Sequence, residues 1–449
     1  MRVALIAPAP ASYIWRKKRA AFTLPPMALP LLAAVTPPGV KVRLIDEAVE
    51  DLDLNLEADL VGLSVMTATA PRAYQLADHF RSRGIQVVMG GVHPSSLPDE
   101  ALQHSDSVVI GEGESHWAKI VKDAGARSLK RIYENSSPFP LDQLPAPRWD
   151  LLPAQRYFVP RTVQVSRGCP MACSFCSVSS FFGRSYRHRP VSQVIEEIKA
   201  HKKKLLIFAD DNIAGNPDSA KELFAAMIPL KKKWVSQCSL SIADDPELLD
   251  LAARSGCIGL LIGFESISPE VLKSIGKRVN LRLQYQEAIR QIHARGIHIQ
   301  GSFIFGFDED TPESIPATVQ FVKENRLTGV NYCRLTPFPG TRLYDQLEKE
   351  GRIIDRDWSK YDRQNVVFQP RNFAPRELQE KIFWAYRQTY NLGSLWQRRP
   401  FSFQHFSLYL ALNLGYMKGL KKMEREVMEE PDARSKGHGE RQKRHRREK

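Results

Sequence analysis

Between residues 3 and 335 the chain repeats one phrase: a short apolar run, a polar or glycine-rich stretch, then a segment with helical spacing. The apolar runs of the first part fall at 3–7, 40–45, 60–65, 85–89 and 107–110, with helical patterns over 26–35 and 73–83, the second ending at Gly84. Six more runs follow at 162–166, 205–209, 236–242, 258–264, 297–305 and 329–335. Helical stretches over 191–202, 219–233, 246–255, 283–295 and 313–325 separate them. Asp245-Pro246 and Thr311-Pro312 place proline at a first helical turn, and Gly256 and Gly296 stand where helices stop. Strands alternating with helices demand parallel sheets with covered faces. The expected fold is therefore α/β: a doubly wound, Rossmann-like sheet, then a partial (β/α)6 barrel. In both, ligands belong beyond the carboxyl ends of the strands.

At 449 residues the chain has room for two or three domains. Residues 136–160 carry Pro138, Pro140, Pro145, Pro147, Pro153 and Pro160, interleaved with apolar residues such as Leu141, Leu144 and Trp149. That density stiffens a connection, and the apolar content makes it a packed strap. The expected plan is a first domain over 1–135, the strap, a barrel over 161–345, a mainly helical extension over 346–430, and a basic tail over 431–449. Within the extension, Leu378, Ile382, Phe383 and Tyr386 predict a helix over 375–390. An aromatic stretch over 401–416 precedes Lys418, Lys421 and Lys422.

The formal charge of +14 raises nucleic acid or an anionic surface as a partner. Its distribution argues otherwise. Residues 434–449 hold eight Lys or Arg and two Glu, a surplus of +6, which leaves +8 for the rest of the chain. A tail of that kind is ordinarily solvated, and no nucleic acid is expected. No apolar run approaches the roughly 18 residues that cross a bilayer, and nothing at the start resembles a signal peptide. Cys238, Cys257 and Cys333 sit in apolar segments and read as buried thiols. A cytoplasmic location is expected.

The remaining three cysteines lie in Ser166-Arg167-Gly168-Cys169-Pro170-Met171-Ala172-Cys173-Ser174-Phe175-Cys176, spaced C-x3-C-x2-C. Three thiolates leave a tetrahedral zinc site one ligand short. They can instead hold a [4Fe-4S] cluster by three irons, with the fourth open to a ligand. A zinc knuckle or a reactive cysteine cluster stays as the alternative.

This spacing resembles the radical SAM enzymes, whose open iron chelates S-adenosyl-L-methionine (SAM). The first domain is similar to the cobalamin-binding domain that precedes the barrel in one branch of them. The matching phrases are Pro25-Pro26-Met27-Ala28-Leu29-Pro30-Leu31-Leu32-Ala33, Asp59-Leu60-Val61-Gly62-Leu63-Ser64, Gly90-Gly91-Val92-His93-Pro94 and Gly111-Glu112-Gly113-Glu114. The C-terminal end resembles the group that includes hopanoid methylases and the anaerobic magnesium-protoporphyrin ester cyclase.

The resemblance implies three cofactors: a [4Fe-4S] cluster on Cys169, Cys173 and Cys176, SAM, and cobalamin. Around SAM it implies Phe175 against the adenine, Asp210 or Asp211 at the methionine amine and Glu265 at the ribose. It also implies the Gly301–Gly306 stretch, with Ser302, beside the adenine, and Lys277 or Arg278 at the methionine carboxylate. For cobalamin it implies the strand-end residues Ser64, Thr67, Gly90, Gly91, His93, Gly111 and Glu112. The D-x-H-x-x-G motif, which carries a cobalt-binding histidine in mutases, is absent, so His93 is either a ligand or a turn residue. The implied activity is radical methylation of an unactivated carbon in an apolar or natural-product-like small molecule. The alternative is a cyclase or oxidoreductase acting on a tetrapyrrole without methyl transfer. A nucleic-acid methylthiolase is disfavoured because no cysteine precedes Cys169, and a non-enzymatic metal module is the distant remainder. A flavodoxin or ferredoxin would supply electrons. The aromatic C-terminal segment suggests a lid over the barrel mouth, a peripheral membrane contact or, as the simpler reading, a helix packed on the barrel.

Overall fold

The computed structural model describes residues 1–10, 23–183, 185–281, 284–400 and 406–428. The basic tail and the first part of the 401–416 stretch lie outside them. Two parallel sheets dominate. The first joins β1 (Arg2–Ala7), β2 (Lys41–Asp46), β3 (Leu60–Ser64), β4 (Gln86–Gly90), β5 (Ser107–Ile110) and β6 (Ile132–Glu134). Their order is β2-β1-β3-β4-β5-β6 with every pairing parallel. β6 was not legible in the sequence, because only Tyr133 of its three residues is buried. One face packs on the helix Ala70–Ser82 through Tyr74, Leu76, Ala77 and Phe80. The other packs on the helices Ala28–Ala34 and Trp117–Gly125 through Leu29, Trp117, Ile120 and Val121. The strand order reverses between β1 and β3, which opens a crevice at their carboxyl ends.

The expected first barrel strand over 162–166 is reduced to fragments. Val163 makes one parallel bridge to Phe208, and β7 (Ser166–Arg167) then pairs antiparallel with β8 (Arg187–His188). The cause is Asp210, whose carboxylate takes the amide hydrogens of Val165 and Ser166 that would otherwise extend the ladder. The second large sheet holds β9 (Leu205–Ile207), β10 (Lys233–Cys238), β11 (Cys257–Glu265), β12 (His298–Phe305) and β13 (Gly329–Arg334), all parallel, in order β13-β12-β11-β10-β9. The run expected as a strand to residue 242 stops at Cys238, where Ser239 caps a 3-10 turn over Leu240–Asp244.

A partial barrel leaves β13 with an open edge, which ordinarily invites aggregation. Two tyrosines at the end of the helix Pro375–Thr389 cover it. The Tyr390 hydroxyl accepts from Val330 N at 2.8 Å and donates to Val330 O at 2.7 Å; Tyr386 does the same at Tyr332, at 3.0 and 3.3 Å. Arg398, fully buried, donates to the carbonyls of Leu327, Thr328 and Thr389 and to Asn413 Oδ1. It thereby fastens the helix Phe406–Met428 beside that edge. The C-terminal helices thus serve as the wall that further strands would form in a closed barrel. The Pro-rich strap packs mainly on the first sheet, with Trp149, Leu152 and Tyr157 in its core and Tyr157 Oη donating to Asp46. Trp358 of the extension reaches the same domain by donating to Glu100 at 2.8 Å.

Candidate functional site

The cysteine loop leaves β7 at Gly168, whose φ is +86°; a Cβ there would lie 2.2 Å from Ser185 O, so only glycine fits. Three ties hold the loop against the barrel. Ser174 N donates to Ile275 O, Leu343 N donates to Ser174 O, and Arg342 donates to Ala172 O. Cys169, Cys173 and Cys176 are free thiols, each partly buried. Burial pushes all three upward, Cys173 to about 12. Among the described residues no three side chains converge on a single metal ion, as a closed zinc site requires. A cube-shaped cluster, held at three separate corners, makes no such demand.

Residues expected around SAM divide into two sets. Phe175 stands 5.9 Å from Phe307, ring to ring, so the aromatic before the third cysteine meets the end of β12. Asp211 is half-buried, and desolvation alone raises it to about 6; it lies in electrostatic reach of Cys169 and Cys176. Glu265 closes β11 at φ +62°, beside a break in the β11–β12 register. That conformation, rare outside glycine, turns its side chain out of the ladder. Its carboxylate meets Lys277 Nζ at 2.5 Å, and Lys277 also donates to Gly263 O at 2.7 Å. Gly263 makes room for the pair, since a Cβ there would lie 2.3 Å from Glu265 Oε1. Ser302 alternates with the fully buried Phe303 on β12 and shares its side of the strand with Gln300 and Ile304.

The others serve structure. Asp210 is fully buried and accepts from Val165 N, Ser166 N and Ser166 Oγ; burial raises it to about 7 despite those bonds. It ties down the start of the cysteine loop, which leaves Asp211 as the carboxylate facing the site. Lys277 is occupied by Glu265, and Arg278 is exposed. Gly301 faces the packing layer, where a Cβ would meet Leu327 at 2.9 Å. Gly306, at φ +111°, abuts Leu378 and Phe368.

The crevice of the first sheet forms an open cleft of about 200 Å³. Ser64, Gly90, Gly91, Gly111 and Gly113 line it at the strand ends, and Leu5, Leu29, Leu63 and Trp117 line it within. Gly91 has φ +107°, and a Cβ there would strike Val65 O at 2.7 Å. A glycine rim over an apolar floor suits a flat macrocycle approached by backbone. The far wall is the cysteine loop's own flank: Gln164, Arg167, Phe181 and Phe182.

Two expected cobalamin contacts lie outside the lining, and a third borders the cleft with its carboxylate engaged. His93 is fully buried outside the cleft, its Nε2 2.9 Å from Tyr74 Oη and its ring edge-on to Trp358. It is a core residue at the junction with the extension. Thr67 is buried in the turn Thr67–Thr69 and is absent from the lining. Glu112 does border the cleft, but its carboxylate is engaged. It accepts from Arg167 at 2.7 Å, Arg187 at 3.1 Å and Phe139 N at 2.7 Å. Burial opposes its charge, yet those donors outweigh burial and hold it below the ordinary glutamate value. Sequence reading overlooked Arg167. Its signal was an arginine at a strand end facing two glutamates spaced by one glycine, a pairing that becomes visible only when the two sheets are docked.

Fold and site together define a class: a protein that presents a cobalamin-type crevice to a radical SAM-type cysteine loop. The comparisons agree. Residues 163–322 match the radical SAM superfamily and residues 17–121 the B12 binding domain. The chain is 34% identical to the bacteriochlorophyllide d C-12(1)-methyltransferase of Chlorobaculum tepidum over 76% of each chain. It is 27% identical to the hopanoid C-2 methylase of Rhodopseudomonas palustris, over 74% of this chain and 66% of that one. The radical SAM methyltransferase TsrM from Kitasatospora setae shares the fold at TM-score 0.68 and 17% identity, covering 94% of this chain and 98% of that one. The chain belongs to the cobalamin-binding radical SAM family. It is an enzyme of its methyltransferase branch, with a [4Fe-4S] cluster, SAM and cobalamin as cofactors.

Proposed function

We propose that the protein methylates an unactivated carbon of a largely apolar, ring-bearing small molecule, with tetrapyrroles the first class to test. One observation carries this reading: a single cleft has the glycine rim of the first sheet on one side and the flank of the cysteine loop on the other. A methyl carrier seated there would adjoin the place where a radical is generated. When bound, the cofactors supply a 5′-deoxyadenosyl radical and a transferable methyl group; the chain's task is to hold, orient and exclude water. In this reading Cys169, Cys173 and Cys176 hold the cluster. Asp211 accepts the methionine amine, Glu265 the ribose hydroxyls, and Phe175 and Ser302 flank the adenine. Ser64, Gly90, Gly91 and Gly111 admit the corrin edge. The tetrapyrrole assignment draws on the bacteriochlorophyllide relatives at 34% and 32% identity.

The domain limits at 135, 160, 345 and 430 belong to the same proposal, as does a small electron-donor protein. A peripheral membrane contact, favoured by Trp396 and Leu392 at 71% and 73% exposure, completes it. Among the described residues no helix is long and apolar enough to cross a membrane.

The test is anaerobic incubation of reconstituted enzyme with SAM, a low-potential reductant and a panel of tetrapyrroles, hopanoids and small aromatic metabolites. A methylated product with matching 5′-deoxyadenosine supports the reading. 5′-Deoxyadenosine together with a modified but unmethylated substrate shifts it to the cyclase alternative. Neither compound in any mixture would overturn it.

A further inference from the structure

Arg167 stands two residues before Cys169, at the root of the cysteine loop. Its guanidinium forks into the other domain: Nη1 donates to Glu112 at 2.7 Å and Nη2 to Glu114 at 2.5 Å, while Nε bonds Gln164 at 3.0 Å. All three charged side chains are at most 8% exposed. Arg187, from the strand paired with β7, adds a second cation on Glu112 and donates to Phe139 O of the strap. Glu112 and Glu114 flank Gly113, part of the cleft rim, where a Cβ would press on Leu32 at 3.2 Å. Two arginines against two glutamates, with the fork satisfied at every nitrogen, form a neutral, geometrically specific joint.

We propose that this joint is a positioning device, resting on the function proposed above. It fixes the register between the methyl-carrier cleft and the cysteine loop, so that radical formation and methyl transfer act on the same carbon. Each nitrogen of Arg167 donates within the joint, and Glu112 is shared between Arg167 and Arg187. The cluster loop is therefore not merely near the first domain but bolted to its rim. Phe182 adds a cation–π contact, its ring centre 5.9 Å from the Arg167 guanidinium; a ring face tolerates sliding, whereas the charged fork does not. An ångström of slip between the reacting partners is enough to cost about a hundredfold in rate.

The test uses full-length Arg167→Lys, which keeps the charge and loses the fork, and Glu114→Gln, which strips the charge from one arm and leaves the Glu112 pair intact. Half-buried Arg295→Lys, whose partner Asp250 is remote from the joint in sequence, is the control. Both joint variants are expected to bind iron and corrinoid at wild-type stoichiometry. Both should raise 5′-deoxyadenosine per methylated product about tenfold. In the protein without cofactors, amide exchange at 168–176 and 111–115 should quicken about tenfold in the joint variants and stay unchanged in the control. Ratios and exchange within twofold of wild type in both joint variants would overturn the proposal. A wild-type enzyme that makes no methylated product sinks the functional reading instead, and the exchange measurement still decides the joint. If Arg167→Lys fails to fold, Glu114→Gln alone decides it.

Discussion

The two ligand-facing regions of this molecule are built from opposite materials. The cleft of the first sheet is mostly backbone and hydrocarbon: glycines at the strand ends, leucines and a tryptophan beneath, its charged lining paired off between Arg167, Glu112 and Glu114, and no histidine among the described lining residues. The barrel mouth is made of reactive and charged side chains: three thiols, Asp211, and the Glu265–Lys277 pair. The first region selects by shape and the second by ligation and charge. Substitutions should therefore fail in different ways on the two sides, even though the sides share a wall.

The sharpest break of that comparison is Cys173→Ala. It is expected to abolish the iron–sulfur absorbance and all SAM cleavage while leaving corrinoid binding intact. Joint loss of both cofactors would show that the two regions are not separable. Next in size is Gly91→Ala on the shape-selective side. Its left-handed backbone and the clash with Val65 O should cost about 2 to 3 kcal/mol of stability and eject the corrinoid, with iron content unchanged. Smaller still is His93→Gln. Losing the buried bond to Tyr74 should cost about 1 to 2 kcal/mol, and the corrinoid spectrum should not move, because His93 lies outside the cleft. A shifted spectrum would make His93 a cobalt ligand after all. The smallest effect concerns Asp310, a buried carboxyl raised to about 7 by desolvation although it accepts from Gly306 N and Phe307 N. Its folded value lies above its unfolded one, so the folded chain holds an extra proton between about pH 4 and pH 7, and stability falls as pH rises through that window. Asp310→Asn should flatten that slope, measured as melting temperature against pH for the protein without cofactors.

The comparison also explains what was readable beforehand. Glycines at strand ends are a visible signal, and Gly90, Gly91 and Gly111 do line the cleft. The cysteine spacing is another, and all three cysteines are free, partly buried thiols. Residues with two plausible partners were not separable by pattern. Asp210 and Asp211 are adjacent and chemically identical, yet one is spent on the amides of Val165 and Ser166 and the other faces the thiols. Glu112 carried the right neighbours for a ligand contact and turned out to be committed to Arg167 and Arg187. His93 sat in a glycine-rich turn, and the packing of Trp358, more than two hundred residues away, is what closes it off.

Local order along this chain, the alternation of strand and helix and the spacing of the thiols, follows from residues that are neighbours in sequence. Periodicity and short-loop spacing are short-range properties, so the sequence alone determined most strands of the two sheets, though not β6 or the broken first barrel strand, together with the cysteine loop and the class of chemistry. Which carboxylate is free, which histidine is buried and which arginine crosses between domains were decided only by tertiary packing. Each of those depends on a partner supplied from a distant segment, and a buried charge or ring takes its role from whichever partner reaches it first.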